Sequence, residues 1–290
     1  MSEPKTPPDF SSSRTRPNSD SRNSERARSH SRWWEWGKIS GTGSERKFLA
    51  GPRGRLKDFW SALEIFAELI QGFRKLSFVG PCVTVFGSAR IPENHPDYQL
   101  ARRVGQLLAQ NGFTVMTGGG PGIMEAANRG AKEIQGGCSI GCNITLTFEQ
   151  KPNPYLDEWI EFKYFMVRKF MLVKYSQGFI AAPGGYGTLD ELFGLLTLIQ
   201  TRKIQNFPVV LLGKAYWEPL RVLIQERLVE SKTIDRADSE KIVFTDSPEE
   251  AVQYISTLAE RDFGLRLKSA PHPHRFLGES SPQKTSTKSP

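Results

Sequence analysis

The chain has 290 residues, 38% of them hydrophobic, and a formal net charge of +8, enough length for one well-buried core with flanking tails. The charge is uneven: residues 1–50 carry ten Lys/Arg against six Asp/Glu, residues 268–290 carry four against one, and the 217 residues between are nearly neutral. Basicity confined to the tails leaves the body without an electrostatic footprint for nucleic acid, and no nucleic-acid partner is expected.

Residues 1–50, rich in Ser, Arg, Asn, Pro and Gly, show no apolar period and are expected to be a disordered tail. Within them Trp33-Trp34-Glu35-Trp36 is either a docking segment or a fortuitous cluster. Residues 51–265 read as the folded body, and 266–290 as a second disordered tail. In the body, apolar positions 59, 60, 63, 66, 69, 70 and 73 predict an amphipathic helix over 56–76. A short apolar strand follows at 82–86. Asn94 or His95 before Pro96 can cap a helix running to 110, with Gly112 beyond its end. Strand 113–117, a glycine loop and helix 122–134 come next. Strand 138–143 leads into an irregular Pro152-Asn153-Pro154 segment, then helix 163–175. Strand 178–182, helix 188–203, strand 208–212, helix 215–230, strand 242–244 and helix 248–260 complete the body. Continuous apolar strands alternating with helices predict an α/β fold, a doubly wound, Rossmann-like parallel sheet with helices on both faces. Its ligand belongs at the carboxyl ends of the strands, where two glycine loops fall.

Those loops carry most of the functional signal. Gly118-Gly119-Gly120-Pro121-Gly122 follows one strand, and Pro183-Gly184-Gly185-Tyr186-Gly187-Thr188-Leu189-Asp190-Glu191 follows another. Strand, glycine turn and helix together point backbone N–H groups at an anion. The first loop is no dinucleotide fingerprint, since position 123 is Ile and the downstream acidic residue is missing. Neither loop is a Walker A motif. A monophosphate fits better than a dinucleotide or triphosphate. Thr188 and Glu191 also match a capping box, Thr188 at N-cap and Glu191 at N3, and a carboxylate in a first turn is held ionised by the helix dipole. Arg168 falls on an apolar helix face and needs an anionic partner, a carboxylate or a ligand phosphate, unless it snorkels to the rim. Glu125 could accept a ribose hydroxyl, and Ser88 and Arg90 could neighbour a phosphate.

The absences narrow the chemistry. His95 is the one histidine of the body, which leaves no material for a histidine triad or a His-rich metal site, so no metal is expected. Cys82, Cys138 and Cys142 are odd in number without Cys-x-x-Cys spacing and read as buried reduced thiols. No run approaches ~18 consecutive apolar residues, the N-terminus has no signal-peptide core, and acidic residues argue against a transit peptide. No membrane span is expected, and a cytoplasmic location is.

Thr117 to Glu125, Arg168-Lys169 and Pro183 to Glu191 together resemble the Lonely Guy family of nucleoside 5′-monophosphate phosphoribohydrolases, long labelled lysine decarboxylases, across roughly residues 55–262. Phe-Met-Val-Arg-Lys stands where plant-type members have Met-His-x-Arg-Lys, and the helix before the first strand resembles the larger bacterial branch. The resemblance implies hydrolysis of an N-glycosidic bond with Glu191 and Arg168 as catalytic residues. It implies that Ser88, Gly118, Gly119, Gly120, Glu125, Lys169, Gly184, Gly185, Tyr186, Gly187 and Thr188 bind substrate. It also implies a nucleoside monophosphate substrate, a homodimer and no cofactor. A decarboxylase would need a Schiff-base lysine and a carboxylate partner for pyridoxal phosphate, and nothing in the sequence singles out that pair. A non-catalytic nucleotide or molybdopterin carrier on the same fold is the alternative, and a nucleic-acid-associated protein recruited by its tails is the third reading.

Overall fold

A computed structural model of the chain describes residues 43–51, 54–145 and 151–263. The Trp33-Trp34-Trp36 segment and the expected tail over 266–290 lie outside the described residues. The expected N-terminal tail meets them at 43–50, where Ser44–Leu49 (α1) is a six-residue helix. Two compact units divide the chain, Met1–Ser61 and Ala62–Pro290. The first holds α1 and the start of α2 (Arg55–Leu76), and the second holds the sheet.

Seven parallel strands form that sheet: β1 (Cys82–Phe86), β2 (Thr114–Thr117), β3 (Ser139–Ile144), β4 (Glu158–Phe162), β5 (Ser176–Ala181), β6 (Val209–Leu212) and β7 (Ile242–Thr245), in the order β4-β3-β2-β1-β5-β6-β7. The chain winds outward from β1 to β4, then returns to pair β5 with β1 and winds the other way. That reversal opens a crevice at the carboxyl ends of β1, β2 and β5.

Strand side chains divide by the period of two into separate cores. Phe86, Met116, Phe179, Ala181, Val209 and Leu211 face one core, completed by α5 (Phe165–Tyr175), α6 (Tyr186–Gln200) and α7 (Lys214–Leu223). Val83, Val85, Val115, Ile180, Val210 and Leu212 face the other, covered by α3 (Pro96–Gln110), α4 (Ile123–Lys132) and α9 (Pro248–Phe263). α3 and α4 pack without side chains at two points: a Cβ on Gly105 would stand 2.0 Å from the Ala127 carbonyl oxygen, and one on Gly130 would stand 1.9 Å from that of Arg102. This close packing seats the start of α4 beside the first glycine loop.

The doubly wound fold is as the alternation predicts, with departures at its margins. β4 is a seventh strand at the sheet edge, where the sequence shows only an irregular segment running into a helix. Its Glu-Trp-Ile-Glu-Phe run buries only Ile160 and Phe162, so the continuous apolar signal of the inner strands is missing. The helix expected over 215–230 carries Pro219 and passes from α7 into a π-helix, Ile224–Val229. A four-residue helix, α8 (Arg236–Ser239), follows it. His95 caps α3 as expected, its Nδ1 accepting from the Asp97 N–H. In α2 only part of the apolar pattern is covered: Leu69 and Phe73 pack on the core, whereas Phe59, Trp60, Leu63 and Phe66 are exposed.

Candidate active site

The two glycine loops meet at Ser88, immediately beyond β1. Its carbonyl accepts from the Ile123 N–H at 3.1 Å, and its N–H donates to the Pro183 carbonyl at 2.9 Å. One residue thus ties the end of the first loop to the start of the second. Its hydroxyl accepts from the Arg90 N–H at 3.1 Å.

The first loop is buried at Gly118, Gly119, Gly120 and Gly122. Gly119 has φ +72°, and a Cβ there would stand 2.4 Å from the Trp159 ring, so conformation and space both demand glycine. Its N–H donates to Thr117 Oγ1 at 2.9 Å. Asn153 covers the other side: its N–H donates to the Gly119 carbonyl at 3.0 Å, and its Nδ2 to the Gly120 carbonyl at 3.1 Å.

The second loop is different. Gly184 is buried, with Thr188 Oγ1 2.1 Å from where its Cβ would be. Gly185, Tyr186 and Gly187 are exposed, Tyr186 at 92%. The Gly184 carbonyl accepts from the Tyr216 hydroxyl at 2.7 Å.

The capping box does not form. α6 begins at Tyr186 with Gly185 at N-cap and no side-chain cap, because the glycine turn enters the helix three residues earlier than the Thr188 reading requires. Thr188 therefore lies inside the first turn. Glu191 is the sixth helical residue, beyond the reach of the terminal dipole. The expectation that the dipole holds Glu191 ionised is corrected with it. Burial dominates and raises the carboxyl above the ordinary glutamate range, opposed by the positive charges of Arg168 and then Lys169.

Glu191 is 3% exposed. One carboxylate oxygen, Oε1, accepts from Arg168 Nη1 at 3.2 Å. The other, Oε2, is buried with no hydrogen-bond partner among the described residues. The Arg168 side chain is 12% exposed, so it does not snorkel, and its partner is a carboxylate. Its Nε donates to the Cys142 carbonyl at 2.8 Å, and its Nη2 lies 2.8 Å from where a Gly118 Cβ would stand. Arg168 thus links β3, the first loop and α6.

Lys169 pairs with Asp190 Oδ2 at 2.7 Å and donates to the Asp190 carbonyl, a brace on the turn that carries Glu191. Glu125 accepts from the Tyr98 hydroxyl at 3.2 Å. The geometry therefore gathers Ser88, Gly118, Gly119, Gly120, Arg168, Gly184, Thr188 and Glu191 around the crevice. Asn153 and Tyr216 were missed. Tyr216 follows the last inner strand in an unremarkable helix, and the Pro152-Asn153-Pro154 segment signalled only a loop. Among the described residues no group of three or more His, Cys, Asp and Glu side chains converges to hold a metal ion. No helix among them is long and apolar enough to cross a membrane.

A parallel α/β sheet with a buried carboxylate–guanidinium pair between two glycine loops gives the crevice at the topological switch point the make-up of a candidate small-molecule site. Comparison with known proteins names the family. A family model described as "Possible lysine decarboxylase" matches residues 124–255. A probable cytokinin riboside 5′-monophosphate phosphoribohydrolase of Oryza sativa subsp. japonica is 31% identical over 199 residues, 67% of this chain and 76% of that protein. The pyrimidine/purine nucleotide 5′-monophosphate nucleosidase of Escherichia coli (strain K12) is 34% identical over 140 residues, 45% of this chain. The chain spans only 30% of that nucleosidase's length. Among solved structures, the molybdenum cofactor binding protein of Rippkaea orientalis is 26% identical with a TM-score of 0.46, covering 62% of this chain and 97% of that one. The chain belongs to the Lonely Guy family.

Proposed function

We propose that this chain hydrolyses the N-glycosidic bond of a nucleoside 5′-monophosphate, of the AMP or cytokinin riboside 5′-monophosphate type, to free base and ribose 5-phosphate. Glu191 carries the reading: a buried carboxylate with one oxygen on Arg168 and the other unpartnered, between two anion-binding loops. The names of the rice and Escherichia coli relatives agree with it.

Departure of the base leaves positive charge on the ribose ring oxygen and C1′. Ionised Glu191 stabilises that charge and orients the attacking water, as a carboxylate does in O-glycoside hydrolysis. The C1′–N bond breaks with its electron pair on the base. The hydroxyl of water bonds to C1′, and its proton balances the base. Arg168 holds the carboxylate in place and favours its ionised form. The glycine loops, Ser88 and Thr188 take the 5′-phosphate, a remote anchor whose binding energy orients the reacting bond. Lys169, paired with Asp190, acts by bracing α6.

The lysines fit a pyridoxal-type decarboxylase poorly. Lys169 is spent on Asp190, and Lys174 rests over the Phe73 and Tyr175 rings. A homodimer is part of the proposal, supported by exposed Met166 and Phe170 on α5 and Phe193 on α6 beside the site. So is a cytoplasmic location, in keeping with three unpaired cysteines.

The test is chromatography of wild type and Glu191→Gln incubated with AMP, isopentenyladenosine 5′-monophosphate, GMP and CMP. Base released by wild type and lost in the variant is the expected result. Tight nucleotide binding without release, even at high protein concentration, would overturn it in favour of a carrier.

A further inference from the structure

An anion cradle works only if its peptide units face the right way, and in the first glycine loop one side chain governs that. A trans peptide fixes N–H and C=O on opposite sides, so holding the Gly119 carbonyl fixes where the Gly120 N–H points. The Gly119 carbonyl accepts from the Asn153 N–H, and the Gly120 carbonyl accepts from Asn153 Nδ2. The Gly120 N–H is thereby turned away from Asn153.

Asn153 is itself over-determined. Its residue is 6% exposed, and both ends of its side-chain amide are hydrogen-bonded. Nδ2 donates to the Gly120 carbonyl and to Asn128 Oδ1 at 3.0 Å, while Oδ1 accepts from the Tyr155 N–H at 3.1 Å. A flipped amide would set an oxygen against two acceptors. Asn128, fully buried, accepts in addition from Thr117 Oγ1 at 2.6 Å and donates to Ser139 Oγ at 2.7 Å. Thr117 Oγ1 in turn receives the Gly119 N–H. The network closes on the loop from both sides, and a satisfied buried network of this kind specifies one geometry.

We propose that Asn153 is a positioning residue that orients the Gly119–Gly120 peptide so that the Gly120 N–H donates to the phosphate of the ligand. The proposal rests on the nucleoside monophosphate reading of the site. Aspartate at 153 keeps the shape and reverses the side-chain donor, so it opposes a carboxylate to the Gly120 carbonyl and to Asn128 Oδ1.

The experiment uses the full chain. Affinities for AMP and for adenosine are measured by calorimetry for wild type, Asn153→Asp and Asn153→Ala, with cooperative thermal unfolding as the check on folding. Loss of one oriented charge-assisted hydrogen bond should weaken AMP by about 10- to 100-fold while adenosine binding holds. An unchanged AMP-to-adenosine ratio in a folded variant overturns the proposal. The wild type supplies a second readout that no variant can spoil. Its Gly120 amide resonance should shift on addition of AMP and much less on adenosine, and no shift with AMP overturns the proposal. If wild type binds AMP with that shift yet releases no base, the hydrolase reading falls and the positioning role stands. If Asn153→Asp binds and turns over AMP as wild type does, the role falls and the hydrolase reading stands.

Discussion

Loop one, residues 118–122, is enclosed between the sheet and the segment carrying Asn153 and Trp159, whereas loop two exposes Gly185, Tyr186 and Gly187. A Cβ on Gly118 or Gly119 would meet Arg168, Met124 or Trp159, while one on Gly185 or Gly187 would meet nothing within 4 Å. Yet both contribute glycine turns at helix starts. The same sequence signal therefore serves two physical purposes. In loop one glycine permits close packing and a positive φ, and in loop two Gly185 and Gly187 keep the backbone bare for whatever approaches from solvent, while Gly184 packs closely on Thr188. Rigid and open halves together suit a site that must orient one part of a ligand and admit it past another.

Glu191, which stands behind the open loop, should show the largest effect. Glu191→Gln should lower base release by about 10²–10⁴-fold, measured as kcat/KM on AMP. Its stability should move the other way. A carboxyl raised by burial favours folding while protonated, and that contribution is lost as pH rises through its folded value. Glutamine removes the buried charge and still offers Arg168 an acceptor. The unfolding midpoint of the variant at neutral pH should thus be no lower than that of wild type, and a marked fall would break this account.

The pH profile follows from the same shift. Base release needs ionised Glu191, so the rate should climb with pH along an ionisation above the ordinary glutamate range. An acid limb at the ordinary value would mean that Arg168 outweighs burial.

The comparison itself is tested by paired glycine substitutions. Gly119→Ala places a side chain at φ +72° against Trp159 and should cost about 2–4 kcal/mol of stability by thermal or denaturant unfolding. Gly187→Ala adds a methyl in open space within the first turn of α6 and should be neutral or stabilise by up to ~1 kcal/mol. Equal costs would erase the distinction between the loops. A similarly small effect is expected from Tyr216→Phe. It removes the part-buried hydrogen bond from the half-exposed Tyr216 to the Gly184 carbonyl, for a loss of ~0.5–1 kcal/mol and a modest rise in KM.

Much of the fold was legible because inner strands of a parallel sheet are buried on both faces and read as near-continuous apolar runs, as 82–86 and 209–212 do. β4 escaped because an edge strand can carry exposed charges, here Glu158 and Glu161, that break its apolar run. The π-helix escaped because a helical period does not say how its carbonyls pair. At the site, the glycine spacings and the need of Arg168 for an anion were written in the chain. The capping box was the wrong reading of Thr-x-x-Glu, since spacing alone does not locate a helix's first residue.

By itself the sequence determined the doubly wound class, the position of both loops at strand ends and the family, because these depend on local period and on residues contiguous in the chain. Only the tertiary structure decided that Arg168 meets Glu191 across 23 positions, that Asn153 reaches back 33 residues to Gly120, and that burial rather than the helix dipole governs the carboxylate. Those depend on what the packing brings together and shields from water, and no local pattern encodes a desolvation energy.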